Sequence, residues 1–144
     1  MNEQKRFENP SVAACCELLK KSKTIAVVGL SPNTARPSYE VSQAMQGWGF
    51  RIIPVHPTAK EVLGEKAYPS LSAIPKDINI DLVDVFRQPE FVDEVVDECL
   101  KLKLKAIWLQ DGVINEPAAL RAEAGGMTVV MDRCVYRDYK SHCR

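Results

Sequence analysis

Ile25-Ala26-Val27-Val28-Gly29-Leu30-Ser31-Pro32-Asn33-Thr34-Ala35-Arg36-Pro37-Ser38-Tyr39 carries a β-branched apolar run into a glycine and then into residues that begin a helix. Residues 24–28 read as a strand buried on both faces, as a parallel sheet requires. Pro37 suits a first helical turn, Ser38 stands beside it as a candidate cap, and Val41, Ala44, Met45 and Trp48 form an apolar stripe. A strand joined to a helix through a glycine turn is the corner at which α/β folds hold phosphate. The dinucleotide pattern G-x-G-x-x-G is only approached, because Ser31 and Thr34 stand where its second and third glycines belong. A nucleotide site is expected, and an ordinary NAD site is disfavoured.

The same rhythm continues on either side of this corner. A leading helix is predicted over about 10–21, with Ser11 or Asn9 capping its start and Val12, Cys15, Cys16, Leu18 and Leu19 on one side. Further strands are predicted at 51–55, 80–86, 105–109 and 127–131, and helices at 90–102 and 116–124. The Pro-rich connection between the second and third strands reads as surface, with one helical turn near 70–73, and a polar tail follows 134. Strands alternating with helices at this spacing give an α/β, Rossmann-like, doubly wound and mainly parallel five-stranded sheet with helices on both faces. One domain is expected over 1–144, with its core at about 23–134.

Lys plus Arg and Asp plus Glu both number 19, so no global field draws the chain to nucleic acid or to an anionic membrane. No apolar run approaches the roughly 20 residues that span a bilayer. The polar start at 1–6 leads into no signal-peptide core, and a cytoplasmic location is expected. The five cysteines include no C-x-x-C pair, which suits reduced thiols better than a disulfide framework or a zinc site. Core packing is the favoured role for Cys15, Cys16 and Cys99.

Doubly wound sheets bind ligands beyond the carboxyl ends of their strands, so the clusters at 29–36, 55–57, 86–89, 110–112 and 132–134 should converge. Gly29 permits a sharp turn, backbone amides near Ser31 offer donors, and Arg36 adds a permanent forked charge. The second strand ends in Val55-His56-Pro57, where an NAD site needs an acid to hold the ribose hydroxyls. Without that acid a phosphorylated ribose becomes acceptable, which keeps NADP and coenzyme A in play. Arg87 is a second partner for phosphate or adenine, its alternative being a salt bridge to Glu90 or Asp84. Phe86 reads as core before it reads as a platform for adenine.

Val28-Gly29-x-Ser31 with Arg36-Pro37-Ser38, Ile53-Pro54-Val55-His56-Pro57, Asp84-Val85-Phe86-Arg87, Trp108-Leu109-Gln110-x-Gly112 and Met131-Asp132-Arg133-Cys134 together resemble the stand-alone CoA-binding domain proteins. These are similar to the CoA-binding N-terminal domain of the succinyl-CoA synthetase alpha subunit. The resemblance runs from about 23 to 134 and implies a Rossmann-like domain that binds coenzyme A or acyl-CoA at the strand ends. It implies that Gly29, Leu30 and Ser31 line a diphosphate loop and that Arg36 and Ser38 assist with phosphate. It further implies that Val55 and His56 border the adenosine, that Phe86 and Arg87 flank the nucleotide, and that Gln110 faces the crevice. His56 is a departure, since relatives commonly carry Asn before that proline.

That synthetase works through a phosphorylated histidine and a separate nucleotide-binding domain, which 144 residues of this pattern do not accommodate. His56 and His142 lack a Ser, Asp or Cys constellation that would make either a catalytic base. Cys134 follows the last strand beside Arg133 and either packs as a structural thiol, the favoured role, or faces the thiol of CoA. The expectation is therefore a CoA-binding module without catalysis of its own. The alternatives are an NADP-linked oxidoreductase and a regulatory partner subunit that responds to CoA.

Overall fold

The computed structural model describes residues 5–144, and the part of the polar start at 1–4 lies outside the described residues. The chain runs α1 (Val12–Lys21), β1 (Thr24–Val28), α2 (Pro37–Gly47), β2 (Arg51–Val55) and a short hairpin of β3 (Glu61–Val62) and β4 (Glu65–Lys66). It continues as β5 (Leu82–Val85), α3 (Val92–Lys101), β6 (Ala106–Leu109), α4 (Glu116–Ala124), β7 (Thr128–Val130) and α5 (Val135–Asp138). Five strands form one parallel sheet in the order β2-β1-β5-β6-β7. The expected α/β doubly wound architecture is the one observed.

An interior parallel strand is covered on both faces, so its apolar residues divide between two layers. Ala26, Val28, Val83, Val85, Ile107 and Leu109 pack toward α3 and α4. Ile25, Val27, Leu82 and Trp108 pack toward α1, α2 and α5. The buried Trp108 indole donates from Nε1 to Arg133 O at 2.8 Å, so its polar edge is satisfied in the core.

Local signals explain the element starts. Ser11 caps α1, its Oγ accepting from Ala14 N–H at 3.1 Å, and Asn115 caps α4 by accepting from Ala118 N–H at 3.1 Å. Asn9 turns instead to Met131, exchanging two hydrogen bonds with its backbone. Asp81, placed by sequence inside the third strand, stops short of it, because its Oδ2 accepts from Lys23 N–H at 2.9 Å and Thr24 N–H at 3.0 Å and ties the strand entry to β1. The connection after β2 carries the hairpin and a short helical turn at Leu71–Ala73, near the turn expected there.

Two expectations are corrected at the C-terminal end. The polar tail is helical: α5 is followed by a wider turn at Tyr139–Cys143, and Val135 is fully buried. Tyr136 and Tyr139 stack and tilt against Trp48 at centroid distances of 5.3 Å and 5.1 Å. Cys16 and Cys143 form a disulfide between α1 and this turn, so the reading of all five cysteines as reduced thiols fails for these two. They are 127 residues apart, and only the folded chain brings them together. Among the described residues no helix is long and apolar enough to cross a membrane, and no group of His, Cys, Asp and Glu could hold a metal ion.

Candidate functional site

β1 and β5 lie side by side, with Val28 opposite Val85, and the chain leaves them toward opposite faces, to α2 and to α3. The strand order reverses here, and a crevice opens above the two carboxyl ends. Gly29 turns the chain at φ +87, its N–H donating to Val55 O at 2.9 Å. A Cβ at Gly29 would sit 2.4 Å from Phe86 O and 3.2 Å from Arg87 Cδ. The glycine therefore both permits the turn and lets the end of β5 close over it.

A cavity of about 720 Å³ occupies the crevice, and Gly29, Ser31, Arg36, Ser38, Phe86, Arg87 and Gln110 all line it. Val55 and His56 line a neighbouring cavity of about 190 Å³, which shares Gly29 and Arg87 with the first. Leu30 reaches neither: its side chain is fully buried in the layer beneath, so only its backbone belongs to the loop. Sequence reasoning missed Val41 and Val113 in the larger cavity and Ser70, Glu94 and Glu98 in the smaller. Glu94 and Glu98 carry no local signal, since acids on an amphipathic helix read as its solvated face.

The loop after β1 is held by its own side chains. Ser38 Oγ accepts from Ser31 N–H at 3.0 Å, Ser31 Oγ from Asn33 N–H at 3.1 Å, and Asn33 Oδ1 from Ala35 N–H at 3.0 Å. The cap of α2 is Arg36, which makes no side-chain capping bond, and Ser38 is the second helical residue rather than the cap. Of the backbone amides near Ser31 that the sequence offered as phosphate donors, those of Ser31, Asn33 and Ala35 are thus already occupied.

Arg6, Arg121, Arg133 and Arg137 each pair with a carboxylate. Among the described residues Arg36 and Arg87 pair with none, so the Glu90 or Asp84 bridge considered for Arg87 is not formed. The Arg87 guanidinium lies over the Phe91 ring at 4.4 Å, which holds it without neutralising it. Two uncompensated cations at one concavity favour a negatively charged ligand. Phe86 packs against the core, the role favoured for it, and also lines the cavity.

Asp84 pairs with neither guanidinium. It is 2% exposed, its Oδ1 has no partner, and burial holds its carboxyl well above the usual carboxylate range, with the Val85 N–H pulling the other way. On α2, the buried Ser42 Oγ also lacks a partner. His56 Nδ1 accepts from Thr58 N–H at 3.2 Å and Ala59 N–H at 3.0 Å, so the neutral ring carries its hydrogen on Nε2. Cys134 lines the larger cavity. Its neighbour Arg133 is turned away to Asp138, donating from Nη2 to Oδ1 at 3.0 Å.

The sheet order and the crevice at its reversal define a Rossmann-like α/β domain with an open cleft at the position where such folds hold their ligands. The chain belongs to the CoA binding domain family, whose model matches residues 23–140. It is 47% identical over 129 residues to the uncharacterized protein YneT of Bacillus subtilis, across 90% of this chain and 94% of that one. It is 29% identical over 103 residues to the ADP-forming acetate–CoA ligase II of Archaeoglobus fulgidus, covering 70% of this chain but only 15% of the ligase. A hypothetical protein from Pyrococcus horikoshii shares the fold at a TM-score of 0.88, with 33% identity and 97% of both chains covered.

Proposed function

We infer that the crevice above β1 and β5 binds coenzyme A or an acyl-CoA, and that the chain acts as a binding module without catalysis of its own. The observation that carries this reading is the pair of unpaired guanidinium groups, Arg36 and Arg87, at one cavity in a member of the CoA binding domain family. The cofactor is a phosphorylated adenosine joined through a diphosphate to a long thiol-bearing arm. Two neighbouring cavities of unequal size, which share Gly29 and Arg87 in their walls, suit such a bipartite ligand.

Arg36, with the Ser31 and Ser38 hydroxyls and the turn at Gly29 and Leu30, receives the diphosphate. Val55 and His56 border the adenosine, the His56 Nε2–H serving as a donor in the smaller cavity. Phe86 and Arg87 flank the nucleotide where the cavities meet, and Gln110 faces the arm. Titration calorimetry with CoA, acetyl-CoA and NADPH tests the assignment. CoA should bind, and Arg36→Ala should weaken it by roughly ten- to 150-fold, the loss of one charge-assisted contact of about 1.5 to 3 kcal/mol. If Arg36 meets the 3′-phosphate, the loss is larger for CoA than for dephospho-CoA; if it meets the diphosphate, the two losses match. NADPH binding more tightly than CoA would overturn the reading.

A further inference from the structure

We propose that Cys134 is a modification site within the crevice, where it forms a reversible mixed disulfide with the terminal thiol of coenzyme A. The proposal rests on the CoA-binding reading above and adds a covalent outcome to it. Cys16 and Cys143 are bonded to each other, which leaves Cys15, Cys99 and Cys134 free. Of these, Cys15 and Cys99 sit in packed layers away from the crevice. Burial pushes the Cys15 thiol up, and pushes Cys99 to about 12, so neither offers a reactive thiolate. Cys134 is buried but, unlike the other two, lines the larger cavity.

A second, independent group at the same wall asks for a ligand. Gln110 is 4% exposed, and its Oε1 accepts from Val135 N–H at 3.0 Å. A backbone N–H facing that atom requires it to be the oxygen, which fixes the amide orientation and places Nε2 on the other side. Nε2 has no acceptor among the described residues, and Gln110 lines the cavity. Although the residue as a whole is buried, Nε2 is not among the sealed, unpartnered polar atoms, so it keeps some exposed surface, and an oxygen brought by a ligand into the cavity can accept from it. Because Val135 directly follows Cys134, the hydrogen bond that anchors Gln110 also ties the backbone at Cys134 to the same wall.

The arm of coenzyme A ends in an amide, a two-carbon link and a thiol. With that amide carbonyl accepting from Gln110 Nε2, the sulfur lies within a short reach of the adjoining wall. The step is thiol–disulfide exchange with CoA disulfide as the oxidant. The Cys134 thiolate attacks one sulfur of the disulfide, the original S–S bond breaks, Cys134 Sγ bonds to one CoA sulfur, and the second CoA leaves as a thiolate. That thiolate takes up the proton Cys134 gave to solvent, and the number of disulfides is unchanged. A reducing thiol reverses the exchange.

The protein is incubated with CoA disulfide or, separately, glutathione disulfide, and followed by intact mass and peptide mapping. One CoA adduct should map to Cys134, disappear with dithiothreitol, be absent in Cys134→Ser, and form roughly tenfold or more faster with CoA disulfide, because binding concentrates it at the thiol. Gln110→Glu keeps the acceptor for Val135 but removes the donor, and should reduce that advantage. Equal rates for the two disulfides, or an adduct that persists in Cys134→Ser, would overturn the proposal. Mapping on the unsubstituted protein decides the site even if the serine variant folds poorly. Calorimetry with desulfo-CoA, which lacks the sulfur and reports binding alone, separates the two claims: if it binds while CoA disulfide leaves no adduct on Cys134, the mixed disulfide alone is sunk, and if it does not bind, the CoA reading itself is sunk.

Discussion

Gly29→Ala tests the geometry on which the crevice depends. Alanine at a positive φ such as +87 costs about 1 to 2 kcal/mol from its backbone alone. Its Cβ would also lie 2.4 Å from Phe86 O, a backbone atom at the end of a buried strand that cannot rotate aside. Forcing extra volume into such a site costs about 1 to 3 kcal/mol more. The sum, roughly 2 to 5 kcal/mol, corresponds to a melting shift of roughly 5 to 20 °C for a domain of this size. Gly49→Ala is the control, since Gly49 has φ +101 but nothing within 4 Å of its would-be Cβ. It should lose only the backbone component, roughly 3 to 8 °C. Thermal unfolding by circular dichroism measures both, and CoA titration of the surviving Gly29 variant should show weakened binding, because the new methyl also presses on Arg87 Cδ. If the two variants melt within about 2 °C of one another, the close approach of β5 over Gly29 has no energetic weight and the reasoning fails.

Three further perturbations bear on other parts of the molecule. Arg87→Ala should weaken CoA by about 1.5 to 3 kcal/mol in calorimetry, whereas Arg51→Ala, at an exposed position outside both cavities, should leave it unchanged. Asp84 has a folded pKa raised above its unfolded value, so its contribution is fully favourable below the unfolded carboxylate range and is lost as pH rises toward the folded pKa. Asp84→Asn should therefore gain stability relative to the unsubstituted protein between pH 4 and neutrality in denaturant titrations, and a constant difference would show that the carboxyl is not held neutral. The Cys16–Cys143 disulfide closes a loop of 127 residues, for which the chain-entropy model gives about 5 kcal/mol. Cys16→Ser should lower the melting temperature as much as reduction does, and a melting point indifferent to reductant would contradict the bond.

Much of this architecture was readable along the chain because parallel strands declare themselves. The runs at 24–28 and 52–55 are apolar on both faces, the first leading into Gly29 and the second into His56-Pro57, and β1 and β2 occupy those residues. Once alternation of strand and helix implied a doubly wound sheet, the clusters after each strand had to meet, and Gly29, Arg36, Arg87 and Gln110 do share one cavity. Other facts depend on contacts between distant residues. Leu30 belongs to the right loop, but whether its side chain faces ligand or core is decided by packing beneath α2. Asp84 looked like a partner for Arg87 because both are charged and three residues apart, yet strand alternation turns Asp84 into the layer under the sheet. Nothing local to Cys16 or Cys143 foretold their pairing, and the helical turn that carries Cys143 is built on aromatic contacts with Trp48 rather than on a strong pattern of its own.

The bond between Cys16 and Cys143 also governs what proteolysis would reveal. Nearly every peptide link of the domain lies between those two residues, including the exposed stretch around the β3–β4 hairpin. A single cut there yields two fragments still tethered through sulfur, which migrate as one band on a non-reducing gel and separate only when a thiol is added. Protease resistance judged without reductant would consequently overstate how intact the backbone is.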